Sequence, residues 1–163
     1  MSQKSKKGFT IIEVVLVLAI AGLIFLMVFI ALPNMQRSQR DTQRRNDYAA
    51  FSSGVTTWVT NNNGQMPAPC TAAQPDCIRL RTLLNSQGTD PEGVEYAITV
   101  RACGNGVANG ADCTGNQPQT HNVVLVTEAT CDGAAPVKKA GARNFAIYGY
   151  IENTPNTYCG ASS

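Results

Sequence analysis

Residues 4–33 read KSKKGFTIIEVVLVLAIAGLIFLMVFIALP, with one acid, Glu13, inside an otherwise unbroken apolar run. From Val14 to Leu32 there are nineteen residues without a charge. As a helix rising about 1.5 Å per residue they span roughly 28 Å, close to the hydrocarbon thickness of a bilayer. A carboxylate beside such a span costs about 2.5–3.5 kcal/mol on insertion scales, so its presence asks for a function.

Two ordinary N-termini fit poorly. A secretory signal peptide has a shorter apolar region followed by small residues at a cut site, whereas this run is long and Leu32-Pro33-Asn34 is a poor cut site. A plain anchor matches the length but leaves Glu13 as no more than an acid snorkelling to the membrane face. Charge does not fix the topology. Lys4, Lys6 and Lys7 precede the run, and Arg37, Arg40, Arg44 and Arg45 follow it.

Beyond the run, about 130 residues remain, enough for one compact domain with a modest core. The charged fraction is 15%, and Gly, Asn, Thr and Pro are frequent after residue 60, which suits a loop-rich, β-containing exported domain. The formal charge of +2 rests on the leader lysines. Without them ten basic residues face eleven acids, which argues against a general nucleic-acid binder.

Six cysteines, Cys70, Cys77, Cys103, Cys113, Cys131 and Cys159, all follow the apolar run. An even count behind a membrane-directed N-terminus reads as disulfides formed outside the cytoplasm. Zinc is the rival reading, but no Cys-x-x-Cys occurs. The single histidine, His121, has no partner at ligand spacing and reads as an ordinary loop or strand-edge residue, so no metal is assigned. Cys70–Cys77 and Cys103–Cys113 each close a short loop, which leaves Cys131 with Cys159. The residues Asn153 to Cys159 reach back at most about 23–25 Å, barely enough beside a strand of about 30 Å. Pairing of Cys159 with Cys103 or Cys113 therefore stays open. Asp112 and Asp132 sit beside cysteines without calcium-ligand spacing. No Gly-x-Ser-x-Gly, phosphate loop or activated nucleophile is present, so no enzyme activity, small-molecule substrate or cofactor is expected.

Residues 34–60 continue as a helix, with Tyr48, Phe51, Val55, Trp58 and Val59 on one apolar face. The charged stretch from Arg37 to Asp47 reads as exposed or subunit-contacting, in preference to a DNA-binding face. "TNNNGQMP" ends this helix. "IRLRTLLNSQG" suggests a short helix using Ile78, Leu80, Leu83 and Leu84. Three strands follow: "VEYAITVRA", with Val94, Tyr96, Ile98 and Val100 on one face; "HNVVLVTEAT"; and "NFAIYGYIE", with Phe145, Ile147 and Ile151 opposite Tyr148 and Tyr150. Glycine-rich connections favour an antiparallel sheet.

The stretch "KKGFTIIEVVLVLAIAGLI" closely resembles the N-terminal signature of type IV pilins and pseudopilins, strongly so from residue 4 to about 36. The coincidence of basic leader, Gly8-Phe9 junction and Glu13 makes the signature specific. The resemblance implies cleavage between Gly8 and Phe9 by a prepilin peptidase on the cytoplasmic side, and N-methylation of Phe9. It implies pairing of Glu13 with the N-terminal amine of a neighbouring subunit, where each charge relieves the other in an apolar setting. It also supports a disulfide stapling the C-terminal region, at a separation like that of Cys131 and Cys159. In many relatives the helix-kinking proline lies a few residues nearer the junction than Pro33. Pro33 removes a helix hydrogen bond, and Gly22 loosens the segment or admits a close neighbour.

The expected fold is α+β: a long N-terminal helix and a small antiparallel sheet, pilin-like. The expected divisions are a leader at 1–8, an assembly helix at 9–33 and an exported domain at 34–163. The resemblance implies a structural subunit of a surface filament supporting adhesion, motility or DNA uptake. A minor pilin, or a pseudopilin of a secretion or competence system, is the alternative; an anchored binding domain that never polymerises is a third reading. Expected partners are other copies of the chain, the prepilin peptidase, the assembly machinery and the cytoplasmic membrane before export to the surface; nucleic acid is not expected.

Overall fold

The computed structural model describes residues 8–84, 89–104, 108–153 and 155–162, without the side chains of 76, 83 and 84. The chain forms two compact units, Met1–Arg37 and Ser38–Ser163. Helix α1, Ile11–Asn61, begins in the first and ends in the second, and its helical assignment continues through Pro33.

In Met1–Arg37, every large apolar side chain from Phe9 to Met35 is exposed, by 45 to 89%. An 18-residue window here has a mean hydropathy of 3.2, long and apolar enough to cross a membrane. The helix is apolar all round, the pattern of a segment meant for an apolar surrounding.

In Ser38–Ser163, α1 buries Asp41, Arg44, Asp47, Tyr48, Phe51 and Val55, a stripe at helical spacing. The upper part of that stripe is charged. The expectation that the charged stretch is exposed is therefore corrected at Asp41, Arg44 and Asp47, which are paired inside. Helix α2, Pro75–Leu84, starts earlier than its apolar residues suggest, because Pro75 suits the first helical position. Cys77 and Leu80 face the core, whereas Ile78 is exposed. The side chains of Leu83 and Leu84, and residues 85–88 of the expected helix, lie outside the described residues.

Among the described residues six strands follow: β1 Ala97–Ala102, β2 Asn122–Thr127, β3 Ala129–Asp132, β4 Ala135–Lys138, β5 Phe145–Tyr150 and β6 Thr157–Ala161. Four of them make one sheet in the order β1-β2-β5-β6, and β3 with β4 makes a separate hairpin. The sheet is antiparallel except between β1 and β2, which run parallel. The connection from Cys103 to His121 is long enough for such a crossover, so its glycines do not make a hairpin. Val94 is exposed because it closes the Asp90–Val94 turn instead of beginning β1. The second expected strand is broken at Glu128, whose φ of 56° starts the hairpin.

The sheet is covered on both faces. Tyr96, Ile98, Val100, Val123, Leu125, Phe145, Ile147 and Ile151 pack with Tyr48, Phe51 and Val55 of α1 and Leu80 of α2. On the other face Val126, Ala146 and Tyr148 pack with Ala129, Cys103 and Cys113. Gly149 is fixed by contact. A Cβ there would lie 2.4 Å from Cζ of Tyr48, whose hydroxyl donates to the Tyr150 carbonyl at 2.8 Å.

The disulfides are Cys70–Cys77, Cys103–Cys113 and Cys131–Cys159, with Cα separations of 5.8, 5.3 and 5.7 Å. The reach problem at Cys159 disappears because β5 ends at Tyr150 and β6 folds back along it. Cys159 lies opposite Tyr148, not opposite the start of β5. Cys131 in β3 meets it on the second face.

Candidate functional site

The first turn of α1 carries the residues singled out at the N-terminus. Thr10 precedes the helix and its carbonyl accepts from the Glu13 amide at 3.1 Å. Oε2 of Glu13 accepts from the Thr10 amide at 3.0 Å and from its hydroxyl at 2.9 Å. This is one half of a capping box on a Thr-x-x-Glu pattern: the Glu side chain reaches back to the Thr amide, while the Thr hydroxyl donates to the same carboxylate instead of accepting from the Glu13 amide. Glu13 thus has local donors on one oxygen, while Oε1 has no partner among the described residues. Phe9 is 89% exposed. Among the described residues, a Cβ added at Gly8 or Gly22 meets no atom within 4 Å.

A second cluster lies in Ser38–Ser163. Asp41 Oδ1 accepts from the Glu152 amide at 2.7 Å, and Oδ2 accepts from the Asn153 amide at 2.9 Å. Arg40 forks onto Glu152, with Nε and Nη2 each at 2.6 Å. Arg44 Nη1 reaches Glu152 at 2.8 Å, and its Nε reaches Asp90 Oδ2 at 2.8 Å. Hydrogen bonds from Arg40, then from Arg44, hold the Glu152 carboxyl down at about 2. Burial works against the charge of Asp90, but the Arg44 bond, the Glu92 amide and the Arg44 charge outweigh it and lower its pKa. Asp47 is the reverse case. Burial raises its pKa more than the Tyr96 hydroxyl, donating at 3.0 Å, lowers it.

His121 joins this cluster. It lies 3.3 Å from Asp90 and 3.3 Å from Glu92, so the fold supplies neighbours that sequence spacing concealed. These three are the described His and carboxylate residues whose geometry suits a metal ion. Asp112 instead accepts from the Thr114 amide at 2.6 Å, and Asp132 is an exposed end of β3. Sequence periodicity missed Asp41 and Arg44 because it counts only apolar positions. Their spacing from Tyr48 at helical intervals was the available signal.

The prokaryotic N-terminal methylation motif matches residues 3–29. It is the signature of type IV prepilins. No curated protein and no solved structure matches the chain.

Proposed function

We propose, from the prepilin signature as premise, that this chain is a structural subunit of a type IV pilus-like filament. The carrying observation is the methylation motif at the start of a helix, where every large apolar side chain from Phe9 to Met35 is exposed. Before assembly those side chains face lipid. In the filament they face the same helix of other subunits, so lipid contacts are exchanged for helix contacts. The motif and the apolar helix are consistent with a membrane-anchored precursor that is assembled at the surface.

In this reading the peptidase cuts between Gly8 and Phe9, and Phe9 becomes the methylated N-terminus. The Gly8–Phe9 junction lies inside the matched methylation motif, which supports this cut. The Phe9 amine pairs with Glu13 of a neighbour, using the oxygen that Thr10 does not engage. The role is structural, without a catalytic step. Residues 9–33 serve assembly, and 34–163 form the exported part.

Mass spectrometry of filaments sheared from cells tests this. The expected N-terminal peptide begins with methylated Phe9, from an abundant component. An uncut leader on a chain found only in membranes would overturn the reading and favour an anchored binding domain. Cleaved chain that is scarce in filaments would favour a minor pilin or pseudopilin.

A further inference from the structure

We propose that Asp90, Glu92 and His121 form a binding site for one divalent transition-metal ion of the zinc type. Each offers a ligand atom, and the three atoms lie within 4.8 Å of one another. The backbone holds them in place independently of any ion. Asp90 and Glu92 stand in a turn closed by Asp90 N to Val94 O at 3.0 Å and Gly93 N to Asp90 O at 2.7 Å. His121 is held by its carbonyl, which accepts from Ala97 at 2.8 Å, and by a left-handed φ of 65°.

The spacing at one imidazole nitrogen suits a metal. Charge-assisted N–H···O bonds are about 2.7–2.9 Å long. His121 Nδ1 is 3.3 Å from Asp90 Oδ1, and Nε2 is 3.3 Å from Glu92 Oε2. One ion takes only one ring nitrogen; two atoms held at about 2.0–2.1 Å by a tetrahedral ion are roughly 3.3 Å apart, the separation of Nδ1 from Asp90. Glu92 supplies a third ligand atom within 4.8 Å of the other two. His121 Nδ1 is buried and has no hydrogen-bond partner among the described residues. Asp90 divides its oxygens: Oδ2 takes Arg44 Nε at 2.8 Å, and Oδ1 faces His121. Arg44 Nη2 stays at 3.3 Å from Oδ1 and 3.4 Å from Glu92 Oε1, too long for strong bonds.

Charge points the same way. The carboxylates of Asp41, Asp90, Glu92 and Glu152 meet two guanidiniums, Arg40 and Arg44. Two negative charges are left over in a largely buried setting, and a divalent ion neutralises them. An imidazole among so few ligands suits zinc, whereas calcium asks for six to eight oxygens. Glu92, with its side chain 48% exposed, leaves room for water at the fourth position. The ion would tie the turn before β1 to the start of β2.

The test uses the full-length chain in detergent micelles, stripped with EDTA and titrated calorimetrically with zinc chloride or calcium chloride. Saturation at one zinc per chain with a micromolar dissociation constant is expected, with an EDTA-reversible rise in Tm and no saturation by calcium. Glu92→Gln, at a half-exposed position, should weaken zinc binding at least tenfold and leave the metal-free Tm nearly unchanged. His121→Asn should do the same, because Asn tolerates the left-handed backbone. No saturable zinc binding, or binding undiminished in both variants, overturns the site. So does a His121→Asn chain that loses Tm in EDTA yet binds zinc as before, since that marks an imidazolium bridging two carboxylates.

Discussion

In Met1–Arg37 the large apolar side chains are exposed, and the one acid is tied to its own first turn. In Ser38–Ser163 the same helix turns its apolar side chains inward and draws charged ones in with them. One region leaves its hydrophobic free energy unspent within the chain; the other draws charges inside and pairs Arg44 with Asp90 and Glu152. An apolar surface without an internal partner specifies an external one, whereas a paired charge cluster specifies an internal geometry.

The comparison breaks most visibly at Glu13. Glu13→Ala should leave cleavage and membrane insertion intact but abolish filaments, read as sheared-filament yield against membrane-bound chain. Abundant filaments from that variant alone would remove the intersubunit pairing. In the other region, Arg44→Met leaves Asp90 buried without its main partner. A loss of about 3–5 kcal/mol is expected by analogy with other broken buried pairs. Denaturant unfolding of the full chain in micelles measures it, and a loss below about 1 kcal/mol would show that the pair is dispensable.

Removing the Cys131–Cys159 bridge by paired serine substitution should cost about 3.5 kcal/mol from chain entropy at this loop length. Non-reducing peptide mapping of the wild type should show this pair, and a Cys103–Cys159 peptide would refute it.

Acid should also act on Ser38–Ser163 through Glu152. Its folded pKa of about 2 is below its ordinary 4.5, so its stabilisation is complete above 4.5 and fades as pH falls toward 2. Glu152→Gln should flatten the pH dependence of unfolding in that window. Asp47→Asn gives the smallest change and the opposite sign. Its carboxyl is raised by burial, so ionised Asp47 opposes folding near neutrality. The amide still accepts from Tyr96, and the variant should gain slightly in denaturation midpoint. That gain should shrink as pH falls and vanish below 3.8, where both states of the wild type bind the proton.

The sequence made the first region legible because a long apolar run and a Thr-x-x-Glu start are local patterns. In the second, Phe51, Val55, Ile98 and Ile147 could be placed by period alone, since burial follows hydrophobicity there. Arg44 could not, because its burial depends on Asp90 and Glu152, which are distant in sequence. The parallel pairing of β1 with β2 was hidden for a related reason. A glycine-rich connection suggests a turn but does not say which neighbour the next strand will choose. Likewise, the break at Glu128 is a left-handed backbone on a residue type that rarely advertises one.

The contact between Tyr48 and Gly149 has a consequence for how relatives of this chain can diverge. A side chain at 149 meets the tyrosine ring itself, so Tyr48→Phe, which removes only the hydroxyl, does not make room. The helix must first accept a smaller residue at 48, and that step opens a void before anything fills it. Drift at these two sites is therefore ordered: shrinkage on the helix precedes growth on the strand. A descendant with both changes has passed through a less stable ancestor, or has changed both positions together.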